Sequence, residues 1–232
     1  MEELFAIFKD NALLFVLVSF LSYIIGSINC SIIVSKAINN KDIRECGSGN
    51  AGATNMLRSY GKRAALLTFG GDLLKSMFAV LFAKYLASQF IASGEDTALA
   101  ILVCGYLAGF FCIVGHLYPV WFGFRGGKGV VATLGLSIVL DWRVAITGLL
   151  VFAIVVALTR YVSLSSILAG VFMVAGCFIY HRCFDQNTVF VSAVLAGMLG
   201  LCGLLVTIKH VPNSGRLIKG TESKVHWRKA AK

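Results

Sequence analysis

The chain has 232 residues, of which 58% are hydrophobic and only 14% charged, with a mean hydropathy of +0.82. A soluble domain carries about a quarter charged residues, so this composition excludes an ordinary water-soluble globule and calls for lipid as the main solvent. The net charge of +10 lies between apolar runs, which puts anionic headgroups or a phosphorylated small molecule ahead of nucleic acid as partners.

Apolar runs fall at about 12–34, 64–87, 98–120, 129–140, 143–159, 162–180 and 187–208. A spanning helix needs about 20 mostly apolar residues, so the fourth run must borrow flanking residues, tilt or re-enter. The expected fold is an all-α integral membrane protein of about seven transmembrane helices, or six if the fourth run re-enters. It forms a single polytopic domain over 1–232. With the N-terminus outside and the C-terminus cytoplasmic, sixteen lysines and arginines fall on inner segments, against Lys9, Arg143 and Arg182 outside. The acidic start, Met1-Glu2-Glu3, argues against a cleaved signal peptide. Seven cysteines form no CxxC pair, which points to no zinc site or redox motif.

The inner-face segments 35–63, 115–129 and 209–224 carry the candidate chemistry. The first contains Arg44, Gly47, Ser48, Gly49, Asn50, Thr54, Asn55 and Arg58. Glycines let backbone N–H groups converge on an anion, the small polar residues add neutral donors, and the arginines grip phosphate with two parallel bonds. The second contains His116 and ends Gly126-Gly127-Lys128-Gly129 before an apolar run, a cradle of backbone donors, one lysine and a helix N-terminus. It lacks the spacing of a Walker A loop, and alone it reads equally as a turn. Trp121, Phe122 and Phe124 suit an interfacial anchor.

The third segment gathers His210, Asn213, Arg216 and Glu222 within thirteen residues, more varied than a basic lipid anchor requires. Arg160 and Ser163 add an inner-face cation and hydroxyl at a helix start. Asp72 and Lys75 lie inside the second run, three residues apart on one helix face, where they either pair structurally or line a site.

The strings GSGNAGATNMLR, GHLYPVWFGFRGGKG and HVPNSGRLIKGTE, in that order, resemble the bacterial acyl-phosphate:glycerol-3-phosphate acyltransferases of the PlsY type. The resemblance covers nearly the whole chain from Gly26-Ser27-Ile28 onward, including Asp72-Leu73-Leu74-Lys75 and Arg160-Tyr161-Val162-Ser163-Leu164. It implies a seven-helix enzyme of the bacterial inner membrane with its active site facing the cytoplasm. Such an enzyme moves a fatty acyl group from acyl-phosphate to the 1-hydroxyl of glycerol 3-phosphate, the first acylation of phospholipid synthesis. The resemblance gives Ser48 and Arg44 a catalytic or binding role, Gly126, Gly127, Lys128 and Gly129 to glycerol 3-phosphate, His210 and Asn213 a part in activity, and Glu222 a structural part. Three positions depart from the family pattern: Asn29 stands where proline is common, Ser76 follows Lys75 in place of glycine, and Thr133 is displaced by one residue in Gly-Gly-Lys-Gly-Val-Val-Ala-Thr. These bear on local helix geometry and on Thr133.

An acyl-phosphate is a mixed anhydride with a good leaving group, so binding, orientation and charge stabilisation suffice without a covalent enzyme nucleophile. The base is His210, His116 or a substrate phosphate; the residues alone leave these open. No histidine has an aspartate five positions on, so the common HxxxxD acyltransferase signature is absent. No cofactor and no metal are expected. Two other classes are a transporter of a phosphorylated metabolite, which wants internal symmetry and mid-membrane charges, and a non-catalytic scaffold, which leaves the glycine-serine-asparagine strings unexplained.

Overall fold

The computed structural model describes residues 7–92 and 97–225. The acidic start Met1-Glu2-Glu3 and the tail residues His226, Arg228, Lys229 and Lys232 lie outside the described residues. By internal packing the chain divides into two units, Met1–Asp141 and Trp142–Lys232, a division that no linker or composition shift announces in the sequence.

The first unit holds helices α1 (Ala12–Gly26), α2 (Cys30–Asn39), α3 (Ala53–Phe90), α4 (Thr97–Leu117) and α5 (Val130–Leu140). The first apolar run is therefore broken at Ser27–Asn29. Asn29 restarts the helix: its side-chain oxygen accepts from the Ile32 N–H at 3.2 Å and from the Ser31 hydroxyl at 2.7 Å. The asparagine in place of proline thus supplies an N-cap. α3 is 38 residues long and is interrupted at Gly61, whose φ of 82° only glycine adopts without strain. The 11 residues of α5 rise about 16 Å, half the hydrocarbon core, so the shortness of the fourth run persists in three dimensions.

Close backbone approach, rather than water-driven burial, joins helices in lipid. α1 crosses α4 where Gly26 lies against the Cys112 backbone and Gly115 against Tyr23 and Ser27; a Cβ at either glycine has no room. Gly135 of α5 lies equally close to Leu73 and Ser76 of α3. The Ser76 hydroxyl is turned back onto the Leu73 carbonyl at 2.9 Å, and Thr133 likewise bonds the Gly129 carbonyl at 3.0 Å. Both departures from the family pattern are absorbed within their own helices.

The second unit packs α6 (Trp142–Thr159) on α7 (Val162–Ile179) and α7 on α8 (Val189–Lys209), followed by the short α9 (Val211–Ile218), which touches α7 and α8. A π-turn, Tyr180–Phe184, extends α7. In both units large apolar side chains point outward, among them Leu13, Leu66, Phe90 and Leu158, while Ser27, Ser35, Thr68 and Ser165 are buried. This inside-out pattern belongs to helices solvated by lipid. Six helical stretches among the described residues are long and apolar enough to cross a membrane. The molecule is an all-helical, multi-pass membrane protein.

Candidate active site

In the first unit, the segment expected as one loop, 35–63, is helical at both ends and irregular only at about 40–52. That stretch is anchored by a small apolar core of Ile32, Ile43, Ala51, Met56 and Ala64, against which Cys46, Tyr60 and Phe122 pack. Burial of these side chains makes the loop a defined structure, not a flexible connector.

Two polar side chains shape it. Asn55, 1% exposed on the first turn of α3, donates to the carbonyls of Ile43, Cys46 and Asn50 at 3.2, 2.9 and 3.0 Å. Its oxygen accepts the Ser48 N–H at 2.9 Å. The amide offers two N–H groups to three carbonyls, so it is fully committed to the loop. Gly47 and Gly49, with φ of 56° and 72°, turn the chain on either side of Ser48. Ser48 is left exposed at the tip, beside the N-terminus of α3 at Gly52, and its hydroxyl makes no bond to another described residue.

Arg44 is the second organiser. Its Nε and Nη2 donate to the two Asp42 carboxylate oxygens at 3.0 and 2.8 Å, while Nη1 donates to the carbonyls of Phe122 and Arg125 at 2.6 and 2.9 Å. A guanidinium has five N–H groups, so at most one remains for a ligand. Asp42 also accepts the Arg44 N–H at 3.0 Å, capping the 3₁₀ turn Ile43–Glu45. The Arg44 side-chain hydrogen bond holds the Asp42 carboxyl below the usual carboxylate range, and the same bond raises the guanidinium further. Asp42 was not among the sequence candidates, although an aspartate two residues before an arginine at a turn start is a recognisable cap.

The second loop is thereby clasped to the first. Gly127 and Gly126 donate to the carbonyls of His116 and Leu117, each at 3.1 Å, and so lie flat along the end of α4. A side chain at Gly126 would meet the His116 carbonyl and Pro119; one at Gly127 would meet the His116 ring and the Ala51 carbonyl. Gly129, φ 86°, then starts α5. The double glycine exists for close approach, and it presents the half-buried Lys128 between two fixed backbone points. Beneath lie Asp72, Lys75 and His116. Lys75 Nζ is 3.0 Å from Asp72 Oδ1, so the two intramembrane charges are paired. Ser27, another candidate, donates to the Tyr23 carbonyl at 2.9 Å and accepts the Val120 N–H at 3.4 Å, a bridge between helix break and loop. Arg58 is exposed on α3.

In the second unit Glu222 gathers the candidates. Its Oε1 accepts from Ser163 at 2.9 Å and Asn213 at 2.6 Å, and its Oε2 from Arg216 Nε at 2.7 Å. Burial alone would raise this carboxyl, but the bonds from Asn213, Arg216 and Ser163 outweigh it and hold the group below its ordinary value. Arg160, in a left-handed conformation at φ 64°, accepts the Val225 N–H through its carbonyl at 2.9 Å. His210 is 2% exposed, with Nδ1 at 2.8 Å from the Val206 carbonyl. A carbonyl only accepts, so Nδ1 bears the proton and Nε2 is the basic nitrogen of the neutral ring.

Fold and site together define a polytopic helical membrane protein whose first unit clasps the segment bearing Ser48 to the Gly126–Gly129 loop bearing Lys128. The chain belongs to the glycerol-3-phosphate acyltransferase family, whose model matches residues 16–220. It is 37% identical over 211 residues to the glycerol-3-phosphate acyltransferase of Prochlorococcus marinus (strain MIT 9312), covering 91% of this chain and 98% of that protein. The corresponding protein of Clostridioides difficile (strain 630) is 39% identical over 217 residues, 93% of this chain and 97% of that one. Among solved structures it is similar to PlsY (YgiH), an integral membrane glycerol 3-phosphate acyltransferase, in its glycerol 3-phosphate form. That likeness has 32% identity and a TM-score of 0.72 over 91% of this chain and 96% of that one. The lysophosphatidic acid form of PlsY aligns at 31% identity and a TM-score of 0.68, covering 91% and 95%.

Proposed function

We propose that this protein transfers a fatty acyl group from acyl-phosphate to the 1-hydroxyl of glycerol 3-phosphate, releasing 1-acylglycerol 3-phosphate and phosphate. The observation that carries the reading is the clasp in the first unit. Asn55 holds an exposed Ser48 beside a helix N-terminus, and Arg44 ties the loop that leads into Gly126–Gly129 and Lys128 to the same structure. Lys128 and the N-terminus of α5 that follows it suit the phosphates that both substrates carry, while the Gly126 and Gly127 N–H groups hold the loop on the end of α4. The hydroxyl of glycerol 3-phosphate attacks the acyl carbonyl directly, forming the ester C–O bond. The carbonyl–phosphate bond breaks, phosphate leaves with the electron pair, and the hydroxyl proton passes to a base. Ser48 donates a hydrogen bond to the developing oxyanion or to the leaving phosphate. His210 Nε2 and a substrate phosphate are the candidate bases. A trapped acyl-enzyme would eliminate direct attack in favour of a covalent route.

The topology follows the charge pattern: seven spans with α5 counted as the short fourth, N-terminus outside, and a site on the cytoplasmic side of the bacterial inner membrane. Membrane lipid surrounds the outward apolar faces, and the acyl chain enters from that side. Against the transporter reading, the two mid-membrane charges Asp72 and Lys75 are buried and paired with each other at 3.0 Å. The test uses purified protein in lipid mesophase with labelled glycerol 3-phosphate. Palmitoyl-phosphate goes in one tube and palmitoyl-CoA in another. Lysophosphatidic acid from the acyl-phosphate tube alone is the expected result. Product from palmitoyl-CoA alone would replace the donor, and none from either would remove the acyltransferase reading.

A further inference from the structure

Asp72, Lys75 and His116 have side chains only 3%, 6% and 5% exposed, within helices that cross the membrane. An ion pair alone would satisfy the two charges one helical turn apart. The ammonium does more: its three N–H groups face four acceptors. Nζ lies 3.0 Å from the Gly26 carbonyl, 2.5 Å from that of Ile28, 3.0 Å from Asp72 Oδ1 and 3.0 Å from His116 Nδ1. Gly26 and Ile28 flank the break where α1 ends and its carbonyls lack helical partners. His116 Nδ1 meets both members of the ion pair, 3.0 Å from Lys75 Nζ and 3.5 Å from Asp72 Oδ1. Nε2 is the atom that a side chain at Gly127 would strike, and the His116 carbonyl receives the Gly127 N–H at 3.1 Å. On the far side of the same loop, the Val120 N–H rests on Ser27, within the break that Lys75 closes.

We infer that Asp72, Lys75 and His116 form a positioning network that fixes the Gly126–Gly129 loop and so sets the affinity for the phosphate of glycerol 3-phosphate. His116 acts through Gly127 and takes no part in proton transfer. Asp72 pairs with the ammonium at 3.0 Å, and Lys75 ties the helix break and the imidazole to one point. The inference rests on the proposed reading in taking glycerol 3-phosphate as the ligand of this loop.

The experiment measures glycerol 3-phosphate binding by calorimetry and steady-state kinetics with palmitoyl-phosphate, for wild type, His116→Asn, His116→Leu and Lys75→Met. Thermal unfolding in detergent checks each fold. His116→Asn keeps an acceptor for Lys75, whereas His116→Leu removes it. Expected for folded His116→Leu is at least a tenfold rise in Kd and KM for glycerol 3-phosphate, with the palmitoyl-phosphate KM within twofold. Lys75→Met follows the same pattern where it folds, and His116→Asn recovers most of the loss with a wild-type pH profile of kcat. An unchanged Kd in His116→Leu overturns the inference, as does an equal rise in both KM values. A pH profile in His116→Asn that loses its acidic limb makes His116 a base and overturns it too. A wild type that neither binds nor acylates glycerol 3-phosphate removes the functional reading itself, a result distinct from any of these.

Discussion

Asp42 and Glu222 each sit at the centre of a motif-bearing segment, one in each unit, and they organise it in different ways. Asp42 holds a single arginine by two parallel bonds, and that arginine reaches on to carbonyls of the next loop. The ion pair is a clasp between segments distant in sequence, and it leaves Ser48 uncommitted. Glu222 is a terminus: it collects Ser163, Asn213 and Arg216, which are spent on holding residues 213–222 against the start of α7. The contrast separates polar residues that build the site from those left to react. In the first unit it singles out Ser48, exposed at the loop tip; the second unit's candidates Ser163, Asn213 and Arg216 all serve Glu222.

The largest expected effect that tests this division is at Ser48. Ser48→Ala is expected to lower kcat by a hundredfold or more, the scale of losing one donor to a developing anion. The thermal unfolding midpoint in detergent should stay put, because the exposed hydroxyl supports nothing. A destabilised but active variant would place Ser48 with the builders. Next comes Arg44→Lys, which keeps charge but not the fork. Loss of the clasp is expected to cost about 1–3 kcal/mol of stability and to raise the KM for glycerol 3-phosphate. Since Asp42 is depressed by its bond to Arg44, the clasp contributes fully above the unfolded carboxylate value of about 4 and is lost as pH falls through the lower folded value. Wild-type stability should therefore fall more steeply than that of Arg44→Lys in acid. Glu222→Gln, third in size, is expected to cost about 1–2 kcal/mol with a smaller loss of kcat, since Asn213 and Ser163 keep a weaker acceptor. Its pH signature has the same sign, because Glu222 is also held low. A catalytic collapse in folded Glu222→Gln would show that the carboxylate does more than gather.

Much of this was legible in the sequence. The helical membrane class followed from composition, and the three motif strings marked the segments that hold most candidates, although Asn55 and Arg58 lie on α3, and Asn213 and Arg216, expected within a loop at 209–224, lie on α9. What the strings did not carry is direction. Arg44 and Asn55 have the chemistry of phosphate ligands, and only the fold shows the guanidinium turned onto Phe122 and Arg125 and the amide turned inward. Sequence separation of about eighty residues hides such a clasp from any local pattern. Asp72 and Lys75 were ambiguous for a similar reason: helical spacing permits a pair or a site lining, whereas the carbonyls of Gly26 and Ile28 that share the lysine lie at the end of α1 and in the break after it. The buried Ile43, Ala51 and Met56 were the overlooked signal. They are apolar residues scattered through a glycine-rich stretch, too few for a periodic pattern but enough to seat the loop.

The smallest effect is expected at a cluster outside the motif strings. Arg143 donates to both Asp185 oxygens at 2.9 and 2.7 Å and lies over the Tyr180 ring at 5.3 Å, while His181 Nδ1 approaches Asp185 at 3.0 Å. The bond from Arg143 lowers the Asp185 carboxyl, so its contribution also fades in acid. Yet the two side chains are 26% and 34% exposed, and a solvated pair is worth about 0–1 kcal/mol. Arg143→Ala should shift unfolding by no more than that and leave kcat and both KM values within twofold. The geometry of this pair matches that of Asp42 and Arg44, two parallel bonds between guanidinium and carboxylate, but Asp185 lies outside the motif segments, whereas the Arg44 guanidinium also bonds the carbonyls of Phe122 and Arg125. If Arg143→Ala lowered activity as much as Arg44→Lys, the clasp would owe nothing to its reach across the two loops, and the distinction between site builders and bystanders would fail.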